Sequence, residues 1–138
     1  MDLRPFNMTD LDAIVDPQEQ NTAARKCIYM AAINGRAYAA YNGDETPLAV
    51  GGASFQEPGV GAVWMVVSDH GRKHPLALCR AIREAMRLIQ DGMDLRRLET
   101  TIDPNNPAAV RFAEWCGFVR EGERRGMGTD WYSIVRDE

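Results

Sequence analysis

Residues 61–90 read GAVWMVVSDHGRKHPLALCRAIREAMRLIQ, and the prediction of the whole fold starts from them. Residues 62–67 form a continuous apolar run, which predicts a strand covered on both faces. Residues 68–71 carry turn chemistry. From Pro75 onward, apolar side chains recur with helical spacing, and Pro is favoured as the first helical residue. The stretch therefore predicts a buried strand, a basic loop and an amphipathic helix.

The loop between this strand and this helix is basic, because Arg72, Lys73 and His74 directly precede the helix. The first N–H groups of a helix have no intrahelical partner, and the helix dipole adds partial positive charge there. One interpretation is a site for a phosphate-bearing ligand. The other is a solvated basic turn between two core elements, and these residues alone leave both interpretations open.

Composition predicts one globular domain covering residues 1–138, since 45% of the residues are hydrophobic and 26% are charged. The net charge of −4 argues against nucleic acid as a partner. No apolar run approaches the roughly 20 residues that span a bilayer, so no membrane partner is expected. The opening residues also lack the pattern of a signal peptide, which favours a cytoplasmic location.

Three cysteines, Cys27, Cys79 and Cys116, are widely separated and odd in number. They predict neither a zinc site nor a disulfide framework, and reduced thiols in the cytoplasm explain them most simply. His70 and His74 are too isolated to be assigned as metal ligands, so no metal site is expected.

Turn residues and hydrophobic periodicity divide the chain into eleven elements. These are a strand at 3–6, a helix from Thr9, a helix at 18–33, strands at 37–41, 47–55 and 62–67, a helix from Pro75, a strand at 95–102, a helix from Pro107, and a hairpin of 118–120 and 131–135. Gly51 and Gly52 predict a bulge in the second of the three central strands.

The order β-α-α-β-β-β-α-β-α-β-β predicts a mixed α/β fold. We expect a mostly antiparallel sheet of about six to seven strands flanked by about four helices. The strands on either side of the long helix should be parallel, because a helical crossover connects them.

This order resembles the GNAT superfamily of N-acetyltransferases over the whole chain. The opening LRPFNMTDLDAI looks like the family's first strand and helix. The hexapeptide RKHPLA at 72–77 is similar to its phosphate loop, which reads Gln or Arg, two residues, Gly, one residue, then Gly or Ala. Residues 106–112, NPAAVRF, followed by Gly117 and Phe118, are similar to its Asn-x-x-Ala helix. The central segment also resembles small GNAT-like proteins encoded by phages and prophages.

The resemblance implies acetyl-CoA as cosubstrate and an amine as acceptor. It places the pyrophosphate at the loop and the pantetheine arm against the backbone of the central strand. The residues implied in cofactor binding are Val66, Val67, Arg72, Lys73, His74, Leu76, Ala77 and Asn106. For Asn106 there is a second interpretation that can coexist with the first, because Asn before Pro107 is also a favourable N-cap.

The sequence departs from the family pattern at positions that matter for chemistry. Pro75 replaces the first Gly of the phosphate loop, and Ala113 stands where many members carry a Tyr general acid. The start of the central strand also lacks the carboxylate that some members have. The remaining catalytic candidates are Glu99 and Tyr132, and their alternatives are a Glu paired with an Arg and an ordinary strand aromatic. Cys116 is better explained as a buried thiol than as a nucleophile.

Two hypotheses about function follow from the resemblance. The first is an N-acetyltransferase in which an amine attacks acetyl-CoA directly in a ternary complex. The second is a GNAT-like protein without catalysis that has a binding or structural role. The helix at 18–33 and the hairpin tip at 124–128 would form the acceptor site, and the exposed hairpin suggests the edge of a homodimer.

Overall fold

The computed structural model describes residues 2–15, 22–43 and 45–136. They form seven strands and five helices in the order β1 (Asp2–Pro5), α1 (Met8–Asp12), α2 (Thr22–Ile33), β2 (Gly35–Tyr41), β3 (Ala49–Glu57), β4 (Val60–Val67), α3 (Asp69–Lys73), α4 (Pro75–Met93), β5 (Arg97–Ile102), α5 (Pro107–Trp115), β6 (Val119–Arg124) and β7 (Thr129–Val135). The strands make one sheet in the order β1-β2-β3-β4-β5-β7-β6. The β4–β5 pair is parallel and the other pairs are antiparallel.

The predicted mixed α/β class is confirmed, including the β2–β3–β4 meander and the parallel pair across the long helix. The predicted helix at 18–33 is described from Thr22, and its earlier residues lie outside the described ranges. β1 is an edge strand, as predicted, and pairs only with β2 among the described strands.

The predicted loop before α4 was wrong in one respect, because most of it is helical. Ser68 caps α3: its Oγ accepts from the Gly71 N–H at 2.9 Å and lies 2.6 Å from the Pro47 carbonyl oxygen. Gly71 fits tightly there, since a Cβ at this position would lie 2.1 Å from the Leu48 carbonyl oxygen. A short capped helix therefore joins β4 to α4 where the sequence indicated a turn.

The predicted bulge at Gly51 and Gly52 was also wrong. The β3 ladder runs through both residues without a break, and the register shifts between Phe55 and Glu57 instead. A Cβ at Gly52 would lie 2.1 Å from the Arg36 carbonyl oxygen. The glycines permit close approach of the neighbouring strands rather than an extra residue.

The sheet has two faces, which we name after the helices that cover them. On the α4 face, Leu98 and Tyr132 pack in one core with Ile89 of α4 and with Ala113 of α5. On the α2 face, Trp64 and Val66 of β4 pack with Val50 of β3, and with Leu11 of α1 and Ile28 of α2. Because side chains alternate along a strand, these two clusters fix the face of every residue discussed below.

The prediction that residues 62–67 are covered on both faces was only partly right. The side chains of this segment are half-buried, and Met65 is 40% exposed. The cause is that β4 has no paired neighbour on its β5 side over most of this length. Within residues 2–15, 22–43 and 45–136, no helix is both long and apolar enough to span a membrane.

Candidate functional site

The central feature of the molecule is an opening between two neighbouring strands. In the described chain, β4 and β5 pair at three positions. These are Val60 with Arg97, Gly61 with Leu98, and Ala62 with Glu99. One side-chain bond follows, in which Thr100 Oγ1 donates to the Val63 carbonyl at 3.3 Å. Residues 64–67 of β4 and 101–102 of β5 then continue without pairing to each other, and we call this gap the β4–β5 opening.

The opening exposes backbone polar groups of a strand that is held firmly on its other side. β4 is paired with β3 from Val60 to Val67, so its geometry is set by that ladder. Backbone groups alternate in direction along a strand, so about half of the N–H and C=O groups of residues 64–67 face β5, and these have no strand partner. An extended ligand with amide groups can pair with such an edge as an additional strand. Val66 and Val67, both implied in cofactor binding, lie in this segment.

The N-terminus of α4 lies at the end of the same strand. Val67 of β4 and Ala77 of the first turn of α4 pack against one core cluster. Pro75 has no N–H, and the first helical bond here is that from the Leu78 N–H to the His74 carbonyl at 3.0 Å. The cap residue His74 provides no side-chain hydrogen bond to the helix end. The N–H groups of Leu76 and Ala77 are therefore left without an intrahelical acceptor at this helix end.

The basic residues before α4 lie on the surface beside this helix end. Arg72 is 65% exposed and forms an i,i+3 ion pair with Asp69 at 3.0 Å. His74 Nδ1 lies 2.9 Å from the His70 carbonyl oxygen, and the two imidazole rings are 4.5 Å apart. Lys73 is also exposed. This arrangement is compatible with both interpretations of the loop, since an exposed ion pair contributes little stability and opens at little cost.

Glu99 lies on the α2 face at the base of the opening, opposite Ala62. Its Oε2 accepts from Arg97 Nε at 3.1 Å, and Arg97 also forms an ion pair with Glu121. The bond to Glu121, reinforced by Glu99, raises the pKa of Arg97 well above its usual range. The same guanidinium holds the pKa of Glu121 below its usual value. The alternative in which Glu99 pairs with an Arg is thus realised, while its second carboxylate oxygen has no described partner.

Tyr132 lies on the opposite face from Glu99. It is 4% exposed, and it belongs to the same core cluster as Ala113, the position where many GNAT members carry a Tyr. In the β5–β7 ladder Tyr132 is opposite Thr100, the residue that bonds to β4 at the base of the opening. The structure therefore does not bring Glu99 and Tyr132 side by side. It places them on opposite faces of the sheet, both near the base of the β4–β5 opening.

Asn106 and Cys116 have the local roles that the sequence offered for them. Asn106 Oδ1 accepts from the Ala109 N–H at 3.1 Å, so Asn106 is the N-cap of α5. Its contact with pantetheine remains a prediction. Cys116 is half-buried, and burial raises the pKa of its thiol to about 11, with a smaller contribution from Cys79. The prediction of a buried thiol is therefore only partly right, while the raised pKa argues against Cys116 as a nucleophile.

The α2 face has two shallow grooves, one lined in part by Ser54 and the other by Glu99, the two strand partners of Ala62. One has a volume of about 520 Å³ and is lined by Cys27, Met30, Ala31, Ile33, Asn34 and Ser54. The other has a volume of about 460 Å³ and is lined by Arg97, Glu99, Glu121, Gly122, Glu123 and Trp131. Sequence reasoning did not identify Ser54 or Arg97 as site residues. No signal in the sequence could have done so, because their places depend on the register of three strands.

Comparison with solved structures identifies the fold. A point mutant of the spermidine N-acetyltransferase SpeG from Vibrio cholerae has a TM-score of 0.73 at 15% identity, with 98% of this chain and 95% of that chain covered. An acetyltransferase of the GNAT family from Bacillus anthracis has a TM-score of 0.68 at 17% identity, with 99% and 95% covered. The ribosomal-protein-S5-alanine acetyltransferase from Vibrio fischeri has a TM-score of 0.70 at 12% identity, with 99% and 93% covered.

The chain therefore has the GNAT fold over nearly its full length, as the resemblance implied. At this level of identity the likeness concerns the fold and not the reaction. No family model matches the sequence, and neither does any curated protein. The likeness to phage-encoded proteins stays a prediction.

Proposed function

We propose that this protein is an N-acetyltransferase that moves the acetyl group of acetyl-CoA to an amine by direct attack. The observation that carries the proposal is the combination of the β4–β5 opening with the open end of α4. One ligand with amide groups in its middle and a pyrophosphate at its end would satisfy both. Acetyl-CoA has this chemistry. The similar solved structures are of acetyltransferases, which supports acetyl-CoA as the ligand.

The residues implied in cofactor binding fit this ligand by their chemistry. The backbone of Val66 and Val67 would pair with the pantetheine amides, and the N–H groups of Leu76 and Ala77 would donate to phosphate oxygens. Arg72, Lys73 and His74 would add positive charge at the surface. Asn106, while capping α5, has a further lone pair with which its side-chain oxygen could accept a hydrogen bond from the pantetheine arm.

We assign Glu99 as the general base. It lies on the α2 face at the base of the opening and lines a shallow groove through which the amine would arrive, whereas α4 and α5 pack over the other face. Its free carboxylate oxygen would accept a proton from the ammonium and pass it to solvent, which leaves a neutral amine. The amine nitrogen then bonds to the acetyl carbon. Backbone N–H groups of β4 at the opening would stabilise the negative charge that develops on the carbonyl oxygen.

We assign Tyr132 as the general acid. When the carbon–sulfur bond breaks, Tyr132 would give the thiolate a proton, and the proton that the attacking nitrogen loses as the amide forms would return to Tyr132 through solvent. Tyr132 is beside Thr100 on the α4 face and would reach the sulfur from the side opposite the base. It would supply, from β7, the hydroxyl that many GNAT proteins carry at the position of Ala113.

The test of the cofactor site is acetyl-CoA binding measured by isothermal calorimetry. Arg72→Ala should weaken binding about three- to tenfold, because it removes one exposed charge near the phosphates. The matched control is Arg87→Ala, since Arg87 is also an exposed α4-region Arg in an i,i+3 ion pair, at the other end of the helix. Equal affinities in both variants would show that the basic loop is a solvated turn.

A second candidate is a protein of this fold that binds a partner without catalysis. Two observations favour it, namely Ala113 in place of a Tyr and Pro75 in place of a donor N–H. Absence of acetyl-CoA binding at millimolar concentration would refute the enzyme proposal and favour the non-catalytic binding role. Binding followed by no acetyl transfer to any amine would also favour the non-catalytic role.

We further propose that the chain acts as one domain in the cytoplasm, since its three cysteines are free thiols. A homodimer through β6, the edge strand of the final hairpin, is the corresponding proposal for assembly.

A further inference from the structure

One row of side chains on the α2 face joins a residue that lines the first groove to a residue that lines the second. In the strand register, Ser54 of β3 lies opposite Ala62 of β4, and Ala62 lies opposite Glu99 of β5. The three residues therefore form one row across the sheet on the same face. Neighbouring strands are about 4.8 Å apart, so the row spans about 10 Å from Ser54 to Glu99. Its middle member, Ala62, is at the base of the opening.

One end of this row has an uncharged, mostly apolar wall. The α2 residues that line the groove beside Ser54 are Cys27, Met30, Ala31 and Ile33, with Asn34 at the end of the helix. Met30 is 57% exposed and Ile33 is 60% exposed, so both side chains have apolar surface that the described chain does not cover. An occupant of this part of the groove should therefore be apolar.

The other end of the row favours a cation. Arg97 is shared by Glu99 and Glu121, so this group of three side chains carries one net negative charge. The second oxygen of Glu99 has no described hydrogen-bond partner. An ammonium group bound there would gain an ion pair and a hydrogen bond. Apolar chemistry at one end and a carboxylate about 10 Å away at the other define an amphipathic site.

We propose that the acceptor is a small primary amine with an apolar body, such as an arylalkylamine. Its ring or branched chain would lie against Met30 and Ile33, and its nitrogen would lie at Ala62 beside Glu99. This inference rests on the proposed function, because the acetyl group must arrive at the base of the opening. A linear polyamine would leave the α2 wall uncovered and would place a second charge against it.

The experiment measures binding of 2-phenylethylamine to the full chain by saturation-transfer NMR, with 1,4-diaminobutane as the polar probe. Ile33→Ser and Met30→Ser should each lower affinity for 2-phenylethylamine about three- to tenfold. Both side chains are exposed, so the variants should fold. Val135→Ser is the control, because Val135 is 58% exposed and lies on β7, three strands from β3. Acetyl-CoA affinity, measured in parallel, should be the same in all of them.

Three results would overturn the inference. The first is an equal 2-phenylethylamine signal in all variants, and the second is tighter binding of 1,4-diaminobutane than of 2-phenylethylamine. The third is a homodimer that Ile33→Ser dissociates, together with no signal from either amine. Each of these can occur with acetyl-CoA binding intact, in which case the proposed function stands and the substrate class is wrong. Loss of acetyl-CoA binding in the unmodified chain would instead refute the proposed function, whatever the amine result.

Discussion

At the scale of single residues, the site depends on how charges are shared. Arg97 contacts two carboxylates, and these two acids differ in position although they have the same partner. Glu99 is at the base of the opening, whereas Glu121 is on β6, beyond β7 in the sheet order. Glu121 therefore serves as a natural control for Glu99, because replacing either one removes one carboxylate from Arg97.

The first prediction concerns Glu99→Gln. It should lower kcat about 10²- to 10⁴-fold with the best amine of an acceptor screen, because Gln cannot accept the ammonium proton. The acetyl-CoA dissociation constant, from calorimetry, should not change. Glu121→Gln should retain kcat within a few-fold. Equal losses in the two variants would contradict a role as base and would show that the carboxylates act by positioning Arg97.

The second prediction concerns the reactivity of Cys116. With a pKa of about 11 instead of 9.0, about one thiol in a thousand is ionised at pH 8, which is about a hundredfold fewer than for an ordinary thiol. Iodoacetamide at pH 8 should therefore modify the exposed Cys27 long before Cys116, as read by mass spectrometry of peptides. Modification of Cys116 at a comparable rate would refute its assignment as a half-buried thiol of low reactivity.

At the scale of elements, the corner made by α3 positions the open end of α4. Ser68 is 3% exposed, and its hydroxyl serves the Gly71 N–H and the Pro47 carbonyl together. The hydrogen bonds of this one side chain therefore connect the end of β4, the start of α3 and the loop before β3. The residues that we propose to bind the cofactor, before and within the first turn of α4, follow directly after it in the chain.

The third prediction is that Ser68→Ala lowers the free energy of unfolding by about 1–3 kcal/mol, because a buried N–H and a buried carbonyl lose their partner. It should also weaken acetyl-CoA binding by loosening the corner. The matched control is Asn7→Ala. Asn7 is the N-cap of α1, and its side-chain oxygen accepts from the Thr9 N–H at 3.1 Å. We expect a loss of about 1 kcal/mol in urea unfolding and unchanged cofactor affinity. Unchanged affinity in Ser68→Ala would show that α3 has no part in the cofactor site.

At the scale of the whole molecule, the sheet consists of two parts held together by a short ladder. Strands β1 to β4 and strands β5 to β7 meet at the three β4–β5 pairs and at the bond from Thr100 to Val63. A ligand in the opening would add hydrogen bonds along the unpaired edge of β4. It should therefore stabilise the junction of the two parts.

The fourth prediction follows from this division and is tested by hydrogen exchange. Acetyl-CoA should slow amide exchange at Leu76 and Ala77 and at those residues of 64–67 whose N–H groups face β5, because these groups have no strand or helix partner in the structure and would be paired in the complex. Exchange at the tip of the β6–β7 hairpin, where Arg124 pairs with Thr129, should change little. Uniform slowing over all strands would indicate global stabilisation without a ligand at the opening.

Much of the fold could be predicted from the sequence, because it depends on local chemistry. Apolar periodicity located α4. The starts of α4 and α5 were marked by Pro75 and Pro107, and the two final strands were found by their residue types. These signals act between residues close in the chain. The short helix α3 escaped prediction because its cap, Ser68, is stabilised by carbonyls twenty residues earlier in the sequence.

The sequence by itself determined the class of fold, the order of its elements and the presence of a basic segment before a helix. Only the tertiary structure decided where β4 and β5 part, which face Glu99 and Tyr132 occupy, and that Ser54, Ala62 and Glu99 form one row. The physical reason is that a strand's side chains have a period of two residues, so a shift of register by one would move each of them to the other face. Register is set by pairing between distant segments, and no local pattern contains it.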